Sequence, residues 1–375
     1  MSGFRVVIAG GGIAAVEGLL RLRRLTGDSL EITMLAPEPE LRYRPLAVQE
    51  PFAGPGARRY PLARIAGDTR ANLVQDALES VDPDGQLVHT AAGEKHRYDA
   101  LLLAYGARSV SPFHHATTFD DAHADDTYLG IVRGIEGGYT KAVGLIVPDG
   151  PAWALPVYEL ALQTADRAYD SNFDDVTVTV VTPESAPLEV FGTAVSEAAR
   201  EALVSAGVRL LTGAGADVPE SGRLVVDPGG HELEPATVVS LPRIEGRALR
   251  GVPADANGFI PIDGRCRVEG MGEHVFAAGD ATSFPVKQGG LGAQQADVAA
   301  AGIAALAGDH EPAELEPVLR GSLIAGERRR LFFQARLEDG RAVDSELLDA
   351  PDWESDEKIV AAELGPYLHG LDQRG

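Results

Sequence analysis

The apolar positions of this chain fall twice into the same order of strand, helix and strand. A β-type run over 4–9 leads into a helix-spaced stretch, and a second apolar run covers 30–36. The order returns over 141–182, where two apolar runs flank the helical pattern VYELALQTADRAY. Both units end alike, as TMLAPE (33–38) and TVVTPE (179–184). The pattern predicts two copies of one βαβ domain, and therefore an α/β fold with two Rossmann-like units.

Further strands and a closing helix are predicted over 253–305, after the second unit. We expect one discontinuous domain over 1–110 and 253–305, a second domain over 111–252, and a C-terminal α+β segment over 306–375 that covers an interface.

Three segments outside these units carry weaker signals. The Pro- and Gly-rich passage over 37–61 indicates a loop, and the acidic stretch over 111–130 indicates a linker. The runs LFFQARLE and RAVDSELLD predict two strands. A final amphipathic stripe over 357–371 is interrupted by Gly365 and Pro366, and its acidic flank disfavours membrane docking. We expect the stripe to pack on its own chain or on a second subunit of a homodimer.

The charge balance narrows the class of partners. The chain has 33 basic and 56 acidic residues, and its net charge of −23 argues against binding to nucleic acids and anionic membranes, both of which require basic patches. Its apolar N-terminal run is broken by glycines and followed by arginines, which favours neither a secretion signal nor a membrane span. We expect a cytoplasmic protein. His114 and His115 have no Cys or His neighbour at ligand spacing, so no metal site is predicted.

The first turn has the pattern of a diphosphate-binding loop. It reads G-x-G-x-x-A between an apolar strand and a helix. Gly10 permits the tight turn, and Gly12 lets the backbone approach a diphosphate. Ile13 and Ala14 open the helix with N–H groups that face the anion, and Ala15 lets the helix pack close to the strand.

Three further positions sharpen this prediction. Glu38 follows the second strand, where a carboxylate accepts ribose hydroxyls. One later apolar strand ends in Ala104 and Gly106, and another ends in Gly279 and Asp280. A carboxylate at the end of a buried strand needs hydrogen-bond donors, which a ribityl chain supplies. An alternative for Asp280 is a cap on the following segment.

GGGIAA, ALLLAYGA and VFAAGDAT resemble the three FAD fingerprints of the pyridine nucleotide–disulfide oxidoreductase superfamily, whose members have two dinucleotide-binding domains. The resemblance covers residues 1–300. The Arg44-Pro45 loop, the short length and KQGG after GDAT are most similar to sulfide:quinone oxidoreductases and type II NADH dehydrogenases. The resemblance implies bound FAD with Pro45 near the isoalloxazine and Ala77 near the adenine. Besides the motif residues, the implied FAD contacts are Arg44, Pro45, Ala77, Arg108, Lys287 and Gln288.

Lys287 is also a candidate catalytic group. By the resemblance it lies at the pyrimidine end of the flavin, where a cation stabilises the anionic reduced form. The alternative is an ordinary solvated lysine.

The second turn, within GLIVPDGPAWALPVYELAL (144–162), departs from this pattern. It keeps only Gly150, and three prolines remove backbone donors that would face a diphosphate: Pro148, Pro151 and Pro156. Glu184 retains the position of the ribose-binding acid. We therefore predict a degenerate NAD(P) site, and binding of NAD(P) is doubtful.

The cysteine count removes one class of mechanism. By the resemblance, Trp153 occupies the position of a redox cysteine of sulfide:quinone oxidoreductases, and Cys266 is the chain's one cysteine. A dithiol relay needs two sulfur atoms within bonding distance. We expect Cys266 to be inert, although exposure between two arginines would lower its pKa.

Three residues of the second helix region are candidates for the reacting side of the site. Glu159 matches a glutamate that type II NADH dehydrogenases place near the flavin, and burial would raise its pKa and suit it to proton transfer. The alternative is a surface glutamate in a salt bridge. Trp153 and Tyr158 either stack on an aromatic substrate or pack in the core.

These observations predict an FAD-dependent oxidoreductase that passes electrons between a small-molecule donor and a quinone or other acceptor, without a cysteine relay. One alternative is an NAD(P)H-dependent FAD oxidoreductase. Another is a flavin-binding protein with no turnover.

Overall fold

A computed structural model describes residues 3–121, 123–235, 237–308, 310–325, 330–351, 353 and 358–374. The strands, in chain order, are β1 (Phe4–Ala9), β2 (Leu30–Leu35), β3 (Glu40–Tyr43), β4 (Arg58–Pro61), β5 (Asn72–Val74), β6 (Leu78–Asp82), β7 (Leu87–Thr90), β8 (Lys95–Arg97), β9 (Ala100–Leu103), β10 (Arg108–Val110), β11 (Thr117–Thr118), β12 (Ala142–Ile146), β13 (Thr177–Val181), β14 (Arg209–Leu211), β15 (Gly215–Glu220), β16 (Arg223–Asp227), β17 (His231–Leu233), β18 (Thr237–Ser240), β19 (Arg243–Glu245), β20 (Val275–Ala277), β21 (Val318–Ile324), β22 (Arg330–Glu338) and β23 (Arg341–Leu348).

The α-helices are α1 (Ile13–Thr26), α2 (Leu62–Asp68), α3 (Gly130–Glu136), α4 (Leu155–Asp170), α5 (Thr193–Ser205), α6 (Gly289–Ala307) and α7 (Leu364–Asp372). Short 3₁₀ segments cover Ala47–Phe52, Glu189–Phe191 and Gly279–Ala281, and a π-type turn over Asp125–Leu129 leads into α3.

Two parallel five-stranded sheets form the framework. The first has the order β20-β9-β1-β2-β5, and the second has the order β11-β18-β12-β13-β14. Strand β20 therefore returns to the first sheet after the chain has built the second. The β1–β2 and β12–β13 pairs have the same register, with Ala9 opposite Leu35 and Ile146 opposite Val181. The predicted α/β fold with two Rossmann-like units is confirmed, whereas the exact domain boundaries stay a prediction.

The predicted loop over 37–61 is partly wrong. Strands β3 and β4 pair there as an antiparallel ribbon, with Leu41 opposite Tyr60. Both side chains are buried in the core of the first unit, and this burial stabilises strands that the prolines and glycines concealed.

The predicted linker over 111–130 is only partly a linker. Just before it, strand β10 pairs antiparallel with β19, so two chain segments cross between the units side by side. Phe119 and Tyr128, however, lie in the core of the second unit, with their rings at an edge-to-face angle of 84°. The second half of the acidic stretch therefore belongs to that unit.

The C-terminal region contacts both units. The two predicted strands are confirmed as β22 and β23, and β21 completes an antiparallel sheet that sequence reasoning missed. Leu319 and Phe333 of this sheet lie in the core of the second unit, whereas Leu364 and Leu368 of α7 lie in the core of the first. The region thus packs on its own chain.

The predicted interruption of the last helical stripe is wrong. Helix α7 begins at Leu364, so Pro366 falls in its first turn, where the missing backbone N–H removes no intrahelical hydrogen bond. A search of the helices in the described ranges finds none that is long and apolar enough to span a membrane.

Candidate functional site

The first turn is built around Gly10. Its φ of +141° lies in the region that favours glycine, and any side chain would place its Cβ 2.1 Å from the carbonyl oxygen of Ala104. The Gly10 N–H donates to the oxygen of Leu35 at 2.8 Å, which ties the turn to β2. The first and second fingerprints therefore meet at backbone contact distance.

The N-terminus of α1 faces open space. No side chain caps the helix at Gly12, and a Cβ on Gly12 would meet no atom within 4 Å. Ile13 and Ala14 form the first turn, and fully buried Ala15 lets the helix pack on the sheet. Uncapped N–H groups beside open space bind anions, so this cradle fits the diphosphate of a dinucleotide.

The third fingerprint, at Gly279, packs against the start of α1. Gly279 has a φ of +78°, its N–H donates to Oε1 of Gln295 at 2.7 Å, and a Cβ would lie 3.1 Å from that of Ala14. Gly292 of α6 passes so near that its Cβ would lie 3.0 Å from the Cα of Gly279. Gly106, with a φ of +72°, has open space where its side chain would be.

Charged groups surround the Gly279 turn. Burial raises the pKa of Asp280, and the charge of Lys287 opposes that rise. Burial also lowers the pKa of Lys287 to about 8, and Asp280 again opposes the shift. The ammonium donates to the carbonyl oxygen of Thr282 and lies 3.7 Å from the ring centroid of Phe259. Because Lys287 is only 7% exposed, the solvated-lysine alternative is wrong.

The other predicted contacts line the same edge of the first sheet or its flanks. Glu38 is exposed three residues beyond β2, and Pro45 and Ala77 are half-buried. Gln288 caps α6, because its Oε1 accepts the N–H of Leu291 at 2.9 Å.

Two of the predicted arginines already have carboxylate partners. Arg44 pairs with Asp121 at 3.0 Å, and Arg108 pairs with Glu245 at 2.7 Å on the β10–β19 ribbon. A contact of Arg108 with FAD would require it to leave this exposed pair or to share it.

The second turn differs in length as well as in composition. Residues 10–12 join β1 to α1, whereas residues 147–154 join β12 to α4. Both turns start alike, since the N–H of Val147 donates to Val181 at 2.9 Å just as Gly10 donates to Leu35. The extra residues and prolines of the second turn leave no short glycine cradle before the helix.

In the second unit, the glutamate at the ribose-acid position already accepts a hydrogen bond from a side chain of the same unit. Tyr158 is fully buried, and its hydroxyl donates to the carboxylate of Glu184. Thr182 Oγ1 lies 3.3 Å from the tyrosine oxygen and 3.4 Å from Oε2 of Glu184. Burial raises the pKa of Glu184 to about 7.

This packing does not provide the substrate-stacking role that the sequence suggested for two aromatic residues. The ring of Tyr158 has no exposed face. Trp153 is half-buried and packs on Phe191, with 6.1 Å between their ring centroids. Both therefore contribute to the core around the second turn.

Glu159 lies in a buried ion pair, so the alternative of a glutamate in a salt bridge is correct about the pairing and wrong about the surface position. Its side chain is 1% exposed, contacts the ammonium of Lys358 and accepts the N–H of Ile324 at 2.9 Å. Burial raises the pKa of Glu159 and lowers that of Lys358, while each opposes the other's shift, and Arg330 lowers both. Sequence reasoning missed Lys358, although it is one of few lysines in an arginine-rich chain.

Glu17 holds the equivalent position in the first unit, as the fifth residue of α1. It is fully buried and accepts the N–H groups of Glu363 and Leu364 at 2.9 and 2.6 Å, which caps α7. Asp297 of α6 lies near Glu17, and burial together with the charge of Glu17 raises the pKa of Asp297 to about 8. The two glutamates thus hold the C-terminal region against both units.

Cys266 is completely buried, and burial raises the pKa of its thiol to about 12. The predicted inert thiol is therefore supported by its surroundings. Within the described ranges, no three His, Cys, Asp or Glu side chains are grouped as metal ligands would be.

Comparisons with known proteins agree with this geometry. Residues 158–302 match the family described as pyridine nucleotide-disulphide oxidoreductase. The structure of the sulfide:quinone oxidoreductase from Aquifex aeolicus superposes with a TM-score of 0.80 at 19% identity, over 99% of this chain and 90% of that one. The chain therefore carries a domain of this family over residues 158–302, within the fold that it shares with the sulfide:quinone oxidoreductase structure. This confirms the predicted class of FAD-dependent oxidoreductases.

The sequence relatives within the superfamily divide between two activities. A sulfide-quinone reductase of Aquifex aeolicus is 32% identical over 110 residues, which is 28% of this chain and only 25% of that protein. The ferredoxin reductase component of a chlorobenzene dioxygenase from Cupriavidus sp. is 26% identical over 92% of this chain and 89% of that protein. A ferredoxin reductase from Rhodopseudomonas palustris has a TM-score of 0.64 at 20% identity, over 88% of this chain and 82% of that one. These likenesses leave the donor and the acceptor open.

Proposed function

We propose that this protein passes electrons from a small-molecule donor other than NAD(P)H to a quinone or another small acceptor, without a thiol relay. One contrast carries the proposal: the first turn is open and rich in glycine, while the second is long, rich in proline and closed by the contact between Tyr158 and Glu184. The lone buried Cys266 supports the absence of a relay.

The residues around the first turn suit FAD. The N-terminus of α1 would bind the diphosphate, Glu38 the adenosine ribose, and the Gly279-Asp280 turn the ribityl hydroxyls. Bound FAD would supply two-electron redox chemistry. Lys287, which is buried beside Asp280, would supply a cation at this end of the site.

Glu159 is the group that we assign to proton exchange with the reacting molecules. Burial favours the neutral form of this carboxyl and Lys358 favours its charged form, so a change in its protonation would be coupled to the buried ion pair. Lys358 is the positioning residue for Glu159, since its ammonium contacts the carboxylate directly.

The charge of the chain supports a small-molecule acceptor. At a net charge of −23, long-range repulsion would slow the approach of any acidic redox protein. A neutral quinone does not meet this barrier.

Anaerobic mixing tests the proposal. The purified protein is expected to be yellow, and dithionite is expected to bleach its flavin band. NADH and NADPH should leave the band unchanged over minutes, whereas one reductant from a panel of sulfide, thiols and quinols should bleach it. A colourless protein would contradict the flavin site.

The second candidate is an NAD(P)H-dependent oxidoreductase. Glu184 at the ribose-acid position favours it, and so do the ferredoxin reductase relatives. Rapid bleaching by NADH in the same experiment would establish this candidate and reject the first. A flavin that no donor of the panel reduces would favour the third candidate, a binding protein with no turnover.

A further inference from the structure

The residues at the fourth position of the two equivalent helices decide whether the ribose-acid carboxylate is accessible. In α1 this residue is Val16, and Glu38 is exposed, with no hydrogen bond or ion pair to any part of the chain that the structure describes. In α4 the same position holds Tyr158, whose hydroxyl reaches Glu184. Both glutamates lie three residues beyond the end of the second strand of their unit.

The contacts of Glu184 replace those that a ribose would make. A ribose-binding carboxylate accepts hydrogen bonds from sugar hydroxyls. Here a phenol hydroxyl donates to the same carboxylate, and the N–H of Glu184 donates to Oγ1 of Thr182 at 3.2 Å. The tyrosine ring is completely buried, so it also fills the space beside the carboxylate.

We propose that Tyr158 is a specificity-determining residue that acts as an internal pseudo-ligand, so that its phenol excludes adenine nucleosides and dinucleotides from the second unit. The inference deepens the proposed function and rests on it only for the choice of electron donor. The prolines of the second turn exclude the diphosphate separately, so the two barriers can be tested one at a time.

Adenosine is the probe for the first barrier, because it has the ribose diol and the base but no diphosphate. The test uses holoprotein and isothermal titration with adenosine. Tyr158→Val installs the residue of the first unit, and Tyr158→Leu keeps more of the packing in case the valine variant folds poorly. Both variants should bind adenosine about tenfold more tightly than the wild type. Adding Glu184→Ala to Tyr158→Val should abolish the gain.

Leu160→Val is the matched control. Leu160 is buried two residues away on the same helix, and side chains two positions apart on a helix do not face each other. This variant should bind adenosine no better than the wild type. Equal gains in Leu160→Val and Tyr158→Val would overturn the proposal, and so would folded Tyr158 variants that bind adenosine no better than the wild type.

The outcome is separable from that of the proposed function. Flavin content and bleaching by dithionite, recorded on the same samples, test the flavin site without reference to Tyr158. In one outcome the wild type is colourless, or its flavin is irreducible, while Tyr158→Val still gains adenosine binding. That result would contradict the proposed redox function and support the role of Tyr158 as a pseudo-ligand. Tight binding of adenosine to the wild type would contradict the role of Tyr158 and leave the proposed redox function unaffected.

Discussion

The two Rossmann-like units differ least in their strands and most in the turn between the first strand and the helix. Both pair their first two strands in the same register, and both place a glutamate fifth in the helix. The first unit has a three-residue glycine turn, whereas the second has eight residues that include prolines. A nucleotide site therefore depends on the turn and on one helix position far more than on the sheet.

The glutamates at the fifth position of α1 and α4 both bind the C-terminal region. Glu17 caps α7 with two N–H acceptor contacts, and Glu159 pairs with Lys358. Neither carboxylate faces solvent. In both units this side chain has become a buried attachment point for the C-terminal region.

Breaking the ion pair is expected to have the largest effect on stability. Glu159→Gln or Lys358→Met alone should lower the free energy of unfolding by about 3–5 kcal/mol, because each leaves one buried charge without its partner. The double variant should cost much less than the sum of the two. Urea denaturation measures all three, and additive losses would refute the coupling.

Glycine replacement sharpens the contrast between the turns. Gly10→Ala should cost about 3 kcal/mol and abolish bound flavin, since the new Cβ would lie 2.1 Å from the oxygen of Ala104. Gly150→Ala is its partner in the second turn, where the nearest atom would be Arg243 Cδ at 3.5 Å. Strain at its φ of +92° should cost about 1 kcal/mol with flavin retained. Flavin absorbance per protein and denaturation midpoints measure both effects, and loss of flavin in both variants would contradict the assignment.

The attachment of α7 should weaken as the pH rises. The pKa of Asp297 is raised to about 8 in the folded chain, so its proton stabilises the fold fully below about pH 4 and that stabilisation is lost as the pH approaches 8. The slope from this group is at most about 1.4 kcal/mol per pH unit. Glu184, with its pKa raised to about 7, acts in the same direction in the second unit.

Asp297→Asn should flatten part of that slope. Denaturation curves between pH 5 and 8 compare the variant with the wild type. Asp68→Asn serves as a surface control that also contacts α7, because Asp68 accepts a hydrogen bond from Tyr367 at 2.8 Å. An unchanged slope in Asp297→Asn would assign the pH dependence to other groups.

The smallest effect is expected at Cys266. Cys266→Ala should lower stability by about 1 kcal/mol because it removes a buried sulfur atom, and it should leave the rate of flavin reduction by the identified donor unchanged. A large fall in that rate would show that the thiol takes part in the reaction.

Local patterns predicted the features that depend on local structure. The glycine spacing located the first turn, and the repeated ending T-x-x-x-P-E located both ribose-acid positions. The ion pair of Glu159 could not be predicted in this way, because its partner lies 199 residues further along the chain. The β3–β4 ribbon was concealed by prolines and glycines, and tertiary burial of Leu41 and Tyr60 outweighs that local signal.

The closure of the second nucleotide site could be predicted from the sequence only in part. The prolines indicated a blocked diphosphate position, while Glu184 suggested that the ribose position remained usable. Only the three-dimensional structure reveals that Tyr158 reaches Glu184, because the two residues lie 26 positions apart in the chain. The first unit has Val16 at the equivalent fourth helix position, so the difference lies in this one side chain.

The C-terminal region contacts both units, so it determines when their two cores can be completed during synthesis. Strands β21 and β22 complete the core of the second unit and α7 completes the core of the first, yet both are translated after the units they join. A nascent chain that stalls before residue 318 leaves two apolar faces uncovered at once. Chaperone demand should therefore peak late in translation and fall abruptly when this region docks.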